Sequence, residues 1–96
     1  MSDTCMTLPE YIRNNRRLCN MLNWEANGAK PEPSGPRDAL ERILANPKRR
    51  AKIQKELDKN REGHCINLDD PNDPAYAELL RVICDFREDW EVPVDA

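Results

Sequence analysis

Residues 73–90 read DPAYAELLRVICDFREDW and carry the strongest apolar pattern in this chain of 96 residues. Asp73 and Pro74 are typical of the N-cap and the first position of an α-helix. At about 100° per residue, six apolar side chains share one face: Tyr76, Leu79, Leu80, Ile83, Phe86 and Trp90. The stretch therefore predicts an amphipathic helix that continues as far as Pro93 and buries this face.

An earlier stretch predicts a second amphipathic helix, from Leu8 to Gly28. Thr7 and Glu10 have the spacing of a capping box, and Gly28 is a suitable C-terminal stop. The apolar positions that share a face are Leu8, Tyr11, Ile12, Leu18, Cys19, Leu22 and Ala26. We expect this helix and the last one to form the main core.

The middle of the chain predicts two shorter helices after a linker at residues 27–36. Three prolines and two glycines in that linker exclude a helix or a central strand. The first short helix opens at residue 34 or 36, and the pair Asn46-Pro47 starts the next, which runs to residues 60–62. Their apolar positions are Leu40, Ile43 and Leu44, followed by a thinner stripe of Ala51, Ile53 and Leu57.

These elements predict an all-α fold, a small bundle of three to four helices with a Pro-rich linker after the first helix. We expect a single small helical domain over residues 1–96, with loose ends at 1–6 and 92–96. No apolar run reaches the roughly 18 residues of a membrane span, and the N-terminus lacks the pattern of a signal peptide. The expected location is therefore cytoplasmic.

Charge is divided unevenly along the chain. Residues 1–61 contain 13 basic and 8 acidic side chains, whereas residues 62–96 contain 2 basic and 10 acidic ones. Such a division indicates either pairing between the two parts or two separate contact faces.

Two groups of charge oppose the dipoles of their predicted helices. Cations crowd the N-terminal end of the third helix, where the dipole favours acids. Acids crowd the C-terminal end of the last helix: Asp85, Glu88, Asp89 and Glu91. Pairing of these two ends with each other would relieve both conflicts. The cations at the start of the third helix could instead contact a phosphate backbone, an acidic patch on a partner, or the acidic third of this chain at residues 62–96. They could also be exposed to water without any special role.

Trp24 stands among arginines on the polar face of the first helix. It can stack on a base, fill a pocket on a partner, or pack under the following loop. The cations at residues 48–52 are the other prominent candidates for contact with a partner. The candidate partner-binding residues are Arg13, Arg17, Trp24, Lys48, Arg49, Arg50 and Lys52.

The sequence contains no recognisable catalytic set, so we expect a non-enzymatic protein without a cofactor. The five soft ligands lack the paired spacing of a structural zinc site, and we interpret the cysteines as free thiols in a reducing compartment. These ligands are Cys5, Cys19, His64, Cys65 and Cys84. Residues 69–74 resemble a calcium loop only superficially, because proline occupies a ligand position in either register.

We interpret the chain as a protein–protein interaction module. Two alternatives remain open: direct, sequence-tolerant nucleic-acid binding through the basic face, or mimicry of a nucleic acid by the acidic third, which would inhibit a host DNA-binding enzyme. A host prolyl isomerase is a further possible partner, acting at Asp70-Pro71 or Asp73-Pro74.

In overall build the chain resembles the phage anti-RecBCD accessory recombination protein family. The resemblance is carried by the capped first helix with Arg16-Arg17, the linker at 31–36, the basic run at 48–52 and the acidic turn at 69–73. It implies a protein that binds the host recombination nuclease and changes its activity, with no catalysis of its own. If the protein is viral, the expected location is the host cytoplasm.

Overall fold

The computed structural model describes residues 7–59, 66–70 and 72–92. Within these ranges the chain forms five α-helices: α1 (Leu8–Asn14), α2 (Arg16–Asn23), α3 (Pro36–Ala45), α4 (Pro47–Asp58) and α5 (Pro74–Asp85). A π segment, Trp24–Gly28, follows α2 directly. The predicted helical class is confirmed for this part of the chain, but the helices number more than the expected three to four.

Asn15 explains the larger number of helices, because it divides the predicted first helix into two. Its backbone is extended, and its N–H donates to the carbonyl of Ile12 to close α1 (3.3 Å). Its side-chain Oδ1 then accepts from the N–H of Leu18 and caps α2 (3.1 Å). The predicted capping box of Thr7 and Glu10 is present at the start of α1.

Asn46 caps α4 as predicted, since its Oδ1 accepts from the backbone N–H groups of Lys48 (3.0 Å) and Arg49 (3.3 Å). Ile53 and Leu57 are fully buried, whereas Ala51 is exposed and does not belong to the apolar stripe. The helix ends at Asp58 rather than at residues 60–62, which lie outside the described residues.

α5 occupies the centre of the core and packs against α1, α2 and α3. Four of its six predicted core residues are buried: Tyr76, Leu79, Leu80 and Ile83. Two further helices add fully buried side chains: Ala39, Leu40 and Ile43 from α3, and Ile53 and Leu57 from α4. The core therefore includes more than the first and last helices that the sequence predicts.

The last helix is shorter than predicted, because α5 ends at Asp85 with Phe86 as its C-cap. Phe86 and Trp90 still pack partly against the core from the segment beyond the helix. Glu88 and Glu91 consequently lie outside the helix. The predicted conflict with the helix dipole therefore applies to Asp85 alone.

The proline-rich linker is also shorter than predicted, since the π segment includes Gly28 and leaves only residues 29–35 between helices. Ala29 and Pro33 are buried. Arg42 of α3 donates to the carbonyl of Pro31 (2.5 Å), and Arg87 pairs with Glu32 (3.1 Å). These contacts hold the linker against the helices.

The acidic turn before α5 has the predicted turn chemistry. Asp70 Oδ1 accepts from the N–H of Asn72 (2.9 Å), and Asp73 Oδ2 accepts from the N–H of Asn67 (2.9 Å). Asp73 Oδ1 also caps α5 by accepting from Ala75 N–H (2.8 Å). Of the two proposed prolyl-isomerase sites, Pro71 lies outside the described residues and Pro74 is the exposed first residue of α5.

In the described ranges, no helix combines the length and the apolar character needed to cross a membrane.

Asn15 has two roles that substitution can separate, because its Nδ2 also donates to Glu56 Oε1 of α4 (3.1 Å). We expect Asn15→Ala to lower the free energy of unfolding by more than the ~1 kcal/mol typical of a lost N-cap. Asn15→Ser should restore the cap but not the longer reach to Glu56. Urea denaturation followed by circular dichroism measures both effects.

The matched control is Asn46→Ala, which removes a cap without a second side-chain contact. It should cost about 1 kcal/mol. An unchanged urea midpoint for Asn15→Ala would contradict the division of the first helix at this residue.

Candidate binding groove

Helices α2 and α4 run side by side in opposite directions. Asn15, just before α2, bonds to Glu56 near the end of α4. At the other end, Arg49 near the start of α4 donates from Nη1 to Oε1 of Glu25, just after α2 (3.2 Å). The two helices are therefore joined at both ends, and a groove lies between them.

The groove has a volume of about 660 Å³ and combines a basic rim with an apolar floor. Leu18 is buried at its base, and Met21 beside it is half-buried. Eight residues line it: Arg17, Leu18, Asn20 and Met21 from α2, and Lys52, Lys55, Glu56 and Lys59 from α4 and its C-cap. Four cations and one carboxylate give the lining a net charge of +3 at neutral pH.

Glu56 is held as a carboxylate in this basic lining. The hydrogen bond from Asn15 lowers the pKa of Glu56, and Lys59, 3.6 Å away, adds to the shift. The hydroxyl of Tyr11 also donates to its Oε1 (3.4 Å). Burial, followed by the negative charge of Glu56, raises the pKa of Tyr11, so that hydroxyl stays a donor at neutral pH.

A cluster around Glu25 closes the end of the groove near the π segment. Glu25 is only 3% exposed, although it is charged. Its carboxylate pairs with Arg49 (3.2 Å) and, over a longer distance, with Arg42 of α3 (3.8 Å). The guanidinium of Arg49 lies 4.7 Å from the ring centroid of Trp24. Glu25 is not among the site residues predicted from the sequence, although its place between the apolar positions Leu22 and Ala26 was a usable signal.

Trp24 is 50% exposed, so half of its surface is covered and half faces solvent. One face stacks on Arg49, and its ring lies close to Gly28, where an added Cβ would meet Trp24 Cδ1 at 3.1 Å. The remaining surface of Trp24 is open to solvent.

Three of the seven candidate binding residues make ion pairs within the chain. Arg13 pairs with Glu78 (2.7 Å) and Asp85 (2.6 Å), and Arg50 pairs with Asp69 (2.7 Å). Arg49 is the third, through Glu25. The predicted pairing of the α4 start with the α5 end is therefore wrong for the described residues. Asp85 pairs with Arg13 of α1 instead. Arg49 pairs with Glu25 in the π segment, and Arg50 pairs with Asp69 in the acidic turn.

The other four candidates lie in or near the groove. Arg17 and Lys52 line it from opposite sides, Trp24 lies one helical turn beyond the lining residues Asn20 and Met21, and Lys48 is exposed at the start of α4. Arg17, Lys48 and Lys52 form no ion pair with any residue in the ranges 7–59, 66–70 and 72–92.

The two cysteines in the described ranges are free, and both thiols point at backbone carbonyls. Cys19 Sγ donates to the carbonyl of Arg13 (3.3 Å), and Cys84 Sγ donates to that of Glu91 (3.2 Å). Burial raises the pKa of both thiols. No three potential ligands gather into a metal site among the described residues, and Cys5, His64 and Cys65 lie outside them.

Replacing the buried carboxylate tests the cluster that closes the groove. We expect Glu25→Gln to lower the free energy of unfolding by about 2 kcal/mol, because the two arginines lose a charged acceptor in a dry site. Glu41→Gln, an exposed site on α3 next to Arg42, is the matched control and should change stability by less than ~0.5 kcal/mol. Equal stability of the two variants would show that Glu25 does not hold α3 and α4 together.

The lowered pKa of Glu56 predicts a dependence of stability on pH. Its contribution is complete above the ordinary glutamate pKa of about 4.3 and is lost as the pH falls through its lower value in the folded protein. We therefore expect the stability difference between the wild type and Glu56→Gln to shrink on acidification. Urea titrations at neutral and acidic pH measure it, and a difference that grows at low pH would contradict this role.

No protein family, curated protein or solved structure matches this chain.

Proposed function

We propose that this chain is a small phage-type accessory protein that binds a host DNA recombination nuclease complex of the RecBCD type and modulates it by protein–protein contact. The groove between α2 and α4 is the observation that carries this proposal. It combines an apolar floor of Leu18 and Met21 with a rim of net positive charge. Protein interfaces use this combination of an apolar centre and a polar rim.

The division of the cations supports placing the contact at this groove. Arg13 and Arg50 are paired with acids of the chain itself, so a partner would have to compete with those pairs. Arg17 and Lys52 line the groove from facing helices, and Lys48 is exposed nearby. These three cations are available for a partner without breaking an ion pair to a described residue. The partner surface that complements them is acidic.

The resemblance in overall build supports the choice of partner. A modulator of a recombination nuclease acts in the compartment where host DNA is processed, so this proposal places the protein in the host cytoplasm. The modulation consists of occupying a surface of the nuclease, and the small protein carries out no reaction of its own.

Charge reversal on the two walls of the groove tests the proposal. We expect Arg17→Glu/Lys52→Glu to weaken binding to purified recombination nuclease by on the order of 10-fold or more, because like charges then face the acidic surface of the partner. Surface plasmon resonance with the immobilised nuclease measures the affinity, and a DNA-degradation assay measures the change in nuclease activity.

The matched control is Arg16→Glu/Lys30→Glu, which makes the same change in net charge at exposed positions outside the groove lining. It should retain binding within about twofold after screening by salt. Failure of the wild type to bind the nuclease would overturn the choice of partner, and equal loss in both variants would overturn the choice of surface.

Direct binding of nucleic acid is the second candidate function, and Trp24 is the observation that favours it. The residue is half exposed and its ring is stacked on Arg49, one helical turn beyond the groove residues Asn20 and Met21, which is an arrangement that can stack a base. Retention of single-stranded DNA that falls steeply with salt and is lost in Trp24→Ala would support this function.

A further inference from the structure

We propose that the groove between α2 and α4 binds an acidic helical segment of a partner protein, with one apolar side chain of that segment seated on Leu18 and Met21. This inference rests on the proposed function and names what the groove recognises. The occupant is defined by three properties: helical shape, negative charge on one face, and an apolar residue within that face.

The shape of the groove fits a helix. From Lys52 to Lys59 the wall that α4 and its C-cap contribute spans seven residue steps, which is about 10 Å at 1.5 Å per residue. A segment of about 12 helical residues is 18 Å long and covers this distance. Amphipathic helices bind in this way, with apolar anchors in a groove between helices of the receptor.

The spacing of the charges also fits a helix. Lys52, Lys55 and Lys59 recur at intervals of three and four residues, so they form one row along α4. Acids repeated at the same intervals on a bound helix would face this row of lysines. Arg17, on the α2 side of the groove, would lie beside the same acids. Met21 suits the floor, because its unbranched, polarisable side chain adapts to different apolar partners.

The lining favours a peptide over a phosphate backbone. Leu18 and Met21 give the lining an apolar floor, which an apolar side chain of a peptide can contact and a phosphate backbone cannot. None of the eight lining residues is aromatic, although sequence-tolerant binding of single strands uses stacking platforms inside the groove.

The chain's own acids do not fill this role among the described residues. Asp69 pairs with Arg50, Asp85 pairs with Arg13, and Asp89 pairs with Arg87. Each of these pairs lies away from the groove lining. These three acids of the described ranges therefore do not occupy the groove, and the occupant that we propose is a segment of another protein.

Fluorescence anisotropy with three labelled probes tests the proposal on the full chain. The first probe is a helical peptide of about 12 residues with glutamates at intervals of three and four and one leucine between them. The second replaces that leucine by serine, and the third is a thymidine oligonucleotide of equal charge. We expect the first peptide to bind with salt-dependent affinity and the serine peptide to bind about 10-fold more weakly, since burial of a leucine is worth about 1.5 kcal/mol or more.

Variants locate the peptide on the protein. Lys52→Glu/Lys55→Glu should lose at least about 10-fold in affinity for the leucine peptide, whereas the control Arg16→Glu/Lys30→Glu should retain it. Met21→Gln should remove the preference for leucine over serine. If a variant does not fold, the methyl resonance of Met21 in the wild type gives the same information, because a peptide in the groove must shift it.

Each result supports or overturns the inference. Equal or tighter binding of the oligonucleotide would identify the groove as a nucleic-acid site, and self-association that competes with the peptide would identify a second copy as the occupant. An unmoved Met21 resonance at saturating peptide would overturn the groove as the site. Peptide binding without nuclease binding would overturn only the proposed partner, whereas nuclease binding unaffected by excess peptide would overturn only this inference.

Discussion

The buried carboxylate of Glu25 is the interaction on which the arrangement of the middle helices depends. α4 contributes only two fully buried large side chains, Ile53 and Leu57, so apolar packing alone fixes its position weakly. Charged and polar contacts complete its placement. Arg49 reaches Glu25 at one end, Glu56 meets Asn15 at the other, and Arg50 meets Asp69 on the side. The groove keeps its width because α4 is held at both ends while its middle stands apart from α2.

The local signals in the sequence predicted the starts of helices well. Thr7, Asn46 and Asp73 cap helices where their side chains suggested, because capping depends on residues only two or three positions away. The break at Asn15 was missed, since the apolar face continues on both sides of it and hides the change of direction. The end of α5 at Asp85 was missed for the opposite reason: Phe86 and Trp90 continue the helical spacing but reach the core from a non-helical segment.

The candidate site was predictable only in part, because the fate of a charge depends on contacts across the fold. Arg13 and Arg17 are close in the sequence, yet one is held by Glu78 and Asp85 while the other faces the groove. Lys55 and Lys59 were not among the predicted binding residues, because they lie beyond the dense basic stretch at residues 48–52. Their helical spacing from Lys52 nevertheless places all three lysines in one row along the groove. Pairing between the basic and acidic parts of the chain does occur, but through Arg13 and Arg50 rather than between the two helix ends.

The side chain of Arg87 links parts of the chain that are otherwise distant. Its guanidinium donates to the carbonyl of Ala26 (3.1 Å), pairs with Glu32 and Asp89, and lies 4.7 Å from the ring centroid of Trp90. The Arg87 side chain therefore binds both the linker at residues 29–35 and the segment that follows α5. Opening of either one removes contacts from the other, so their backbone amides should exchange with solvent deuterium as a single cooperative unit.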